Sequence, residues 1–161
     1  MDSTIRPARA SDADRLHRLQ SLLPEPTPAL LSAAIPDEGP RDAQAATTSL
    51  GVEIPLTTTA AFTLLVTVDE RDTAVGYVLA VGGSGTHIAE LVVNPDHRRA
   101  GRGQALLEKV IARTPSPLTV HVAADNDAAR QLYERVGFTE IAHSDDQFET
   151  SDGLTLRYDP D

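Results

Sequence analysis

THIAELVVNPDHRRAGRGQALLEKVI, residues 86–111, reads as a strand, a glycine-rich turn and a helix. THIAELVV (86–93) is apolar and rich in β-branched residues, and Asn94-Pro95 ends it. Ala105, Leu106, Val110 and Ile111 then recur at helical spacing, and Pro115 and Pro117 close the helix. Between them, Gly101 and Gly103 let the backbone turn sharply and approach a ligand with no Cβ in the way. A helix beginning there gathers unpaired N–H groups and the positive end of the helix dipole at one spot, which suits a phosphate. Arg98, Arg99 and Arg102 add three cations within five residues of a chain whose formal charge is −10. The turn is no Walker A loop, since no Gly-Lys-Ser/Thr follows, and G-x-G alone is not the dinucleotide fingerprint. Taken alone, such a turn equally suits arginines lying on solvent.

Outward from this stretch, LTVHVAA (118–124) reads as a strand. Asn126 opens a helix running to about Val136, with Gly137 placed to end it. A strand–helix–strand–helix–strand run over 86–143 requires parallel pairing, because a helical crossover returns the chain in the same direction. Upstream, AFTLLVTV (61–68) and TAVGYVLAV (73–81) form a hairpin across Asp69–Asp72, and downstream FTEIAH (138–143) and LTLRY (154–158) form another. At the N-terminus, STIR (3–6) is a short strand. Ser11 is the expected cap of a helix over 12–23, whose apolar stripe is Leu16, Leu19, Leu22 and Leu23. PALLSAAI (28–35) reads as a second short helix, and 36–59 shows no periodicity. The expected fold class is α/β (mixed α+β): a mixed sheet with helices on both faces.

Composition bounds the function. With 161 residues, the chain reads as a single domain spanning 1–161. It has no cysteine, which excludes thiolate catalysis and leaves any metal site to His and carboxylates; its five histidines show no metal spacing. The acidic balance argues against nucleic acid as a partner, and no apolar run approaches the ~20 residues of a membrane span. The opening residues carry no signal core, so the expected location is cytoplasmic. Lys109 is the only lysine, a bias that fits either a high-salt cytoplasm or a GC-rich genome.

ELVVNPDHRRAGRGQALLEKVI (90–111) resembles the acyl-CoA-binding motif of the GNAT superfamily of N-acetyltransferases, [R/Q]-x-x-G-x-[G/A]. NDAARQLYERVGFTEI (126–141) is similar to the family's N-x-x-A-x-x-L-Y-x-x-x-G-F segment, matching at Asn126, Ala129, Leu132, Tyr133, Gly137 and Phe138. STIRPARASDAD also resembles the usual opening of the family. The likeness extends over roughly the whole chain and is specific over 86–141.

That resemblance implies a GNAT-type fold: a mostly antiparallel sheet of six to seven strands with a central parallel pair that splays apart to admit acetyl-CoA. Leu91, Val92 and Val93 would bond the pantetheine arm through their backbone, and Asn126 would touch it, or act as a plain helix cap, or both. Arg98, Arg99, Ala100, Gly101, Arg102, Gly103 and Gln104 would wrap the pyrophosphate. Tyr133 matches the tyrosine that contacts the coenzyme sulfur and protonates the departing thiolate. The implied reaction moves an acetyl group to an amine-bearing small molecule or peptide by direct attack, with no metal. A non-catalytic acyl-CoA-binding regulatory module is the competing reading. A nucleotide-binding α/β domain is not expected.

Glu90 is the first candidate base, followed by His121 and His87, with water alone the remaining alternative. Strict alternation puts Glu90 and His87 on opposite sides of the sheet, unless a bulge reverses the parity. His97 reads as a solvent or phosphate contact, and His17 and His143 as surface residues. The acceptor would approach between 24–59 and 144–153, where Asp145, Asp146, Glu149 and Asp152 read best as solvated carboxylates. Relatives commonly form dimers, which leaves a homodimer open.

Overall fold

The computed structural model describes residues 4–23, 28–35, 45–47, 53–55, 61–82, 85–97, 101–114, 117–144 and 153–159. Arg98, Arg99, Ala100 and the acidic residues 145–152 lie outside them, as does most of 24–59.

The strands are β1 (Thr4–Pro7), β2 (Ala45–Thr47), β3 (Glu53–Pro55), β4 (Ala61–Val68), β5 (Ala74–Gly82), β6 (Thr86–Val93), β7 (Leu118–Ala123), β8 (Thr139–Ser144) and β9 (Gly153–Tyr158). The helices are α1 (Ala13–Gln20), α2 (Pro28–Ala34), α3 (Arg102–Arg113) and α4 (Asp127–Val136). One sheet runs β1-β4-β5-β6-β7-β9-β8, with β6–β7 its parallel pair and every other pairing antiparallel. β2 and β3 pair separately, inside a stretch that carries no periodic signal.

Alternation along the strands divides the core in two. Leu64, Val66, Tyr77, Leu79, Val81 and Val92 meet Leu16, Leu19, Leu30 and Leu31 of α1 and α2. On the opposite face Val78, Ala80, Ile88, Val120 and Leu156 meet Leu106, Leu107, Val110 and Tyr133 of α3 and α4. Helices therefore cover both faces, as expected. The expected stripe of α1 is shorter than its sequence suggested. The helix stops at Gln20, and Leu22 is exposed. Among the described residues no helix is long and apolar enough to cross a membrane, and no cluster of three or more His, Asp or Glu is placed to hold a metal ion.

Ser11 does not cap α1. A short 3-10 turn (Ala10–Asp12) precedes the helix, and Asp12 organises it by accepting the Arg9 backbone N–H at 2.8 Å. The Arg6 guanidinium of β1 donates to both Asp12 oxygens at 2.8 and 3.0 Å, and its Nε donates to Asp72 Oδ1 at 3.0 Å. Burial opposes ionisation of Asp12, but the hydrogen bonds from Arg6 and Arg9 outweigh it and hold the carboxyl below its usual range. A depressed carboxyl pKa stabilises the fold above the unfolded value and loses that contribution as pH falls through the folded one. Asp12→Ala is expected to cost about 3 kcal/mol, the low end for breaking a buried ion pair. Urea melts at pH 7 check this, and the gap to wild type should close as the pH drops below about 4.

Candidate active site

The parallel pairing of β6 and β7 is brief. Thr86, His87 and Ile88 pair with Leu118, Thr119 and Val120, and no pair follows, although β6 continues to Val93 and β7 to Ala123. Beyond Ile88 and Val120 the two strands part, each still held by its outer neighbour, β5 or β9. Asn94 donates its N–H to Val75 O at 2.7 Å. Antiparallel alternation then aims the backbone groups of Leu91 and Val93 at the β7 side. Leu91 and Val93 turn their side chains to the α3 face and Val92 to the α1 face.

At the end of β6 the chain enters α3. Gly101 caps that helix with φ 76° and ψ 14°, a left-handed conformation that favours glycine. The first-turn N–H groups belong to Arg102, Gly103 and Gln104, an anion-binding arrangement. Gly103 has a second reason to lack a side chain: a Cβ would sit 3.2 Å from Leu132 Cδ2 of α4, so the residue lets the two helices approach. Arg102 points its side chain into the sheet. Its Nη1 donates to Thr67 Oγ1 at 2.8 Å and Val68 O at 3.1 Å, which ties α3 to β4. Any contribution of Arg102 to an anion at the turn is thus its backbone N–H. Gln104 donates to Glu108 one turn on, at 2.9 Å.

α4 begins at Asn126, whose Oδ1 accepts the Ala129 N–H at 3.2 Å, so it serves as a helix cap. Gly137 ends the helix with φ 121°. Between these ends Tyr133 lies buried, its ring edge-on to Phe138 at 5.3 Å. Burial pushes its phenol well above the usual value, so the proton is held throughout the neutral range.

On the other face the bulge question is resolved. Leu79 pairs with Glu90 and Ala80 with Ile88, leaving Ala89 as the extra residue. That insertion turns Glu90 and His87 to the same side. Glu90 is buried beside α1 and accepts Gln20 Nε2 on both oxygens at 3.1 Å and the Tyr77 hydroxyl at 2.9 Å. Burial and the Glu90 charge together raise the Tyr77 phenol. Gln20 and Tyr77 carried no functional signal in the sequence; helical and strand periodicity place both on core faces, and only the register across 70 and 13 residues shows that they meet one carboxylate. His87 is pushed down to about 4, first by burial and then by His121.

The Acetyltransferase (GNAT) family model matches residues 19–138. Over 82 residues the chain is 38% identical to the peptidyl-lysine N-acetyltransferase YjaB of Escherichia coli K12, covering 51% of this chain and 53% of that protein. Over 67 residues it is 40% identical to the ribosomal protein bS18-alanine N-acetyltransferase of the same organism, covering 39% of this chain and 45% of that one. The chain thus spans about half the length, or less, of the curated relatives it matches. Among solved structures, Arabidopsis thaliana NAA60 in complex with acetyl-CoA superposes with a TM-score of 0.73 at 18% identity, over 99% of this chain and 100% of that one. The Escherichia coli ribosomal-protein-S18-alanine N-acetyltransferase gives 0.67 at 17%, over 98% and 94%. At these identities the likeness is one of fold.

Proposed function

Because the chain belongs to the acetyltransferase (GNAT) family, we propose that it is an acetyl-CoA-dependent N-acetyltransferase, working as one domain over residues 1–161. One observation carries this reading: the β6–β7 pair opens beyond Ile88 and Val120, beside a helix whose amides gather at a left-handed Gly101. A gap of that kind accepts an extended pantetheine arm along the backbone of Leu91, Val92 and Val93. The diphosphate falls at the amides of Gly101, Arg102, Gly103 and Gln104, and Arg98, Arg99 and Ala100, which precede them in the sequence, complete the proposed set. Asn126 holds the start of α4 in register beside the arm.

The acceptor is a primary amine on a small molecule or peptide. Its nitrogen attacks the thioester carbonyl as a neutral amine, a C–N bond forms, and the C–S bond breaks as the oxyanion collapses. Tyr133 supplies the proton that the leaving thiolate takes. The acceptor's own protons leave toward the α1 face, where Glu90, His87 and His121 lie.

Calorimetric titration with acetyl-CoA and thiol release over a panel of amines test the reading. The chain has no cysteine, so an aromatic disulfide reagent reports coenzyme thiol alone. Saturable binding with amine-dependent release is expected. No uptake of acetyl-CoA overturns the assignment, and uptake without release across the panel leaves the non-catalytic binding module.

A further inference from the structure

Two imidazoles flank the point where β6 and β7 part. His121 is the first residue of β7 past the last pair, and His87 immediately precedes the last paired residue of β6. Their rings are 5.0 Å apart. Each Nδ1 meets a threonine hydroxyl of the next strand, His87 with Thr119 at 3.2 Å and His121 with Thr155 at 2.9 Å. Both side chains share the α1 face with Glu90, and both keep part of their surface exposed. Glu90 differs in being only 4% exposed beneath Gln20 and Tyr77. To reach an incoming amine the carboxylate would have to leave these partners, whereas His121 already borders the gap.

We propose that His121 takes the proton of the acceptor amine, and that Glu90 is a positioning residue that fixes β6 against the end of α1. The inference rests on the N-acetyltransferase reading above. In the tautomer whose Nδ1–H donates to Thr155 Oγ1, the His121 lone pair lies on Nε2. The acceptor ammonium loses one proton to solvent before attack. As the C–N bond forms and the C–S bond breaks, the nitrogen's second proton passes to Nε2, and the thiolate takes the Tyr133 proton. Water then removes the imidazolium proton and restores the phenol. The titratable or charged groups facing His121 among the described residues are His87 and Glu90 of β6 and Arg157 of β9, the last bonded to Asp159 at 2.8 Å. On α1, Gln20 is neutral, and β8 offers Thr139 and Ala142 on this face. Burial lowers the His121 pKa, so the ring is in its accepting form at neutral pH.

The test compares wild type, His121→Gln and Glu90→Gln by the pH dependence of kcat/KM. Two probes serve: a lysine-free peptide with a free α-amino group, and an N-acetylated peptide bearing one lysine. Below the amine's own pKa, near ~8 or ~10.4, log kcat/KM falls with slope one; below the His121 pKa, under ~6.5, the slope becomes two. His121→Gln is expected to lose about 100-fold in kcat/KM at pH 8 and to keep slope one throughout, with acetyl-CoA affinity unchanged as the check on folding. Glu90→Gln is expected to retain slope two while melting earlier. A slope of two that survives in His121→Gln, or disappears in Glu90→Gln, overturns this inference alone. A wild type that binds acetyl-CoA and releases no thiol with either probe overturns the transferase reading, and the inference with it.

Discussion

Tyr133→Phe is expected to lower kcat about 100-fold while acetyl-CoA affinity stays within about twofold. The substitution removes one oxygen and keeps the ring, and the ring makes the packing, edge-on to Phe138 in the core beneath α4. Among the described residues the hydroxyl has no hydrogen-bond partner, so its loss strands no buried donor or acceptor and the melting temperature should hardly move. What disappears is a phenol whose proton burial holds in place. A thiolate leaving without that proton is a poorer leaving group, which raises the barrier to collapse of the tetrahedral species and slows kcat rather than binding. The sign of the shift also sets the alkaline behaviour. With the phenol pKa raised above ~10, the wild-type rate should not decline from loss of this proton below that pH. Steady-state thiol release from pH 6 to 10 measures both effects, and unchanged turnover in the phenylalanine variant would remove Tyr133 as the acid.

Local signals made much of this arrangement readable before any coordinates. Helical spacing with a capping Asn126 and a terminal Gly137 places α4, and the apolar run 86–93 followed by Gly101 places β6, the turn and α3. What escaped reading depends on partners distant in the chain. Ser11 reads as the cap in isolation, but Asp12 precedes α1 and accepts from the Arg9 N–H and from Arg6, which in turn reaches Asp72, 66 residues away. The bulge at Ala89 is a register mismatch against β5, and one strand read by itself carries no trace of it. Gly103 looks like a glycine required by a ligand, yet a Leu132 methyl on another helix occupies the space a side chain would need. Glu90 illustrates the same limit at the chemistry. A carboxylate in an apolar strand signals either reactivity or a buried partner, and only the fold shows Gln20 and Tyr77 beside it.

Gly76→Ala should be among the most damaging small substitutions in the sheet, although Gly76 itself carries no group of the proposed reaction. Gly76 sits on β5 between Thr67 of β4 and Val93 of β6. A Cβ there would lie 2.8 Å from Val92 O, 3.0 Å from Thr67 Cγ2 and 3.1 Å from Val93 Cγ2. The nearest atom is a backbone oxygen, which no rotamer change can move, so β6 itself has to yield. Overpacking of this kind costs about 1–3 kcal/mol, and with backbone as the obstacle the upper end applies. In a domain of this size about 3 kcal/mol corresponds to roughly 6–12 °C in Tm. β6 is also the strand whose Leu91 and Val93 aim their backbone groups at the gap, so a β6 displaced at Val92 should weaken acetyl-CoA binding as well as stability. Gly85→Ala is the matched control, because among the described residues a Cβ at that position meets only Pro117 O, at an ordinary 3.7 Å. Thermal melts of the two variants, with and without acetyl-CoA, separate the contributions. Gly76→Ala should melt well below Gly85→Ala and gain less from the ligand. Equal melting of the two would mean that β5 and β6 have slack where the geometry gives them none, and an equal ligand-induced gain would mean that the β6 backbone does not hold the coenzyme arm.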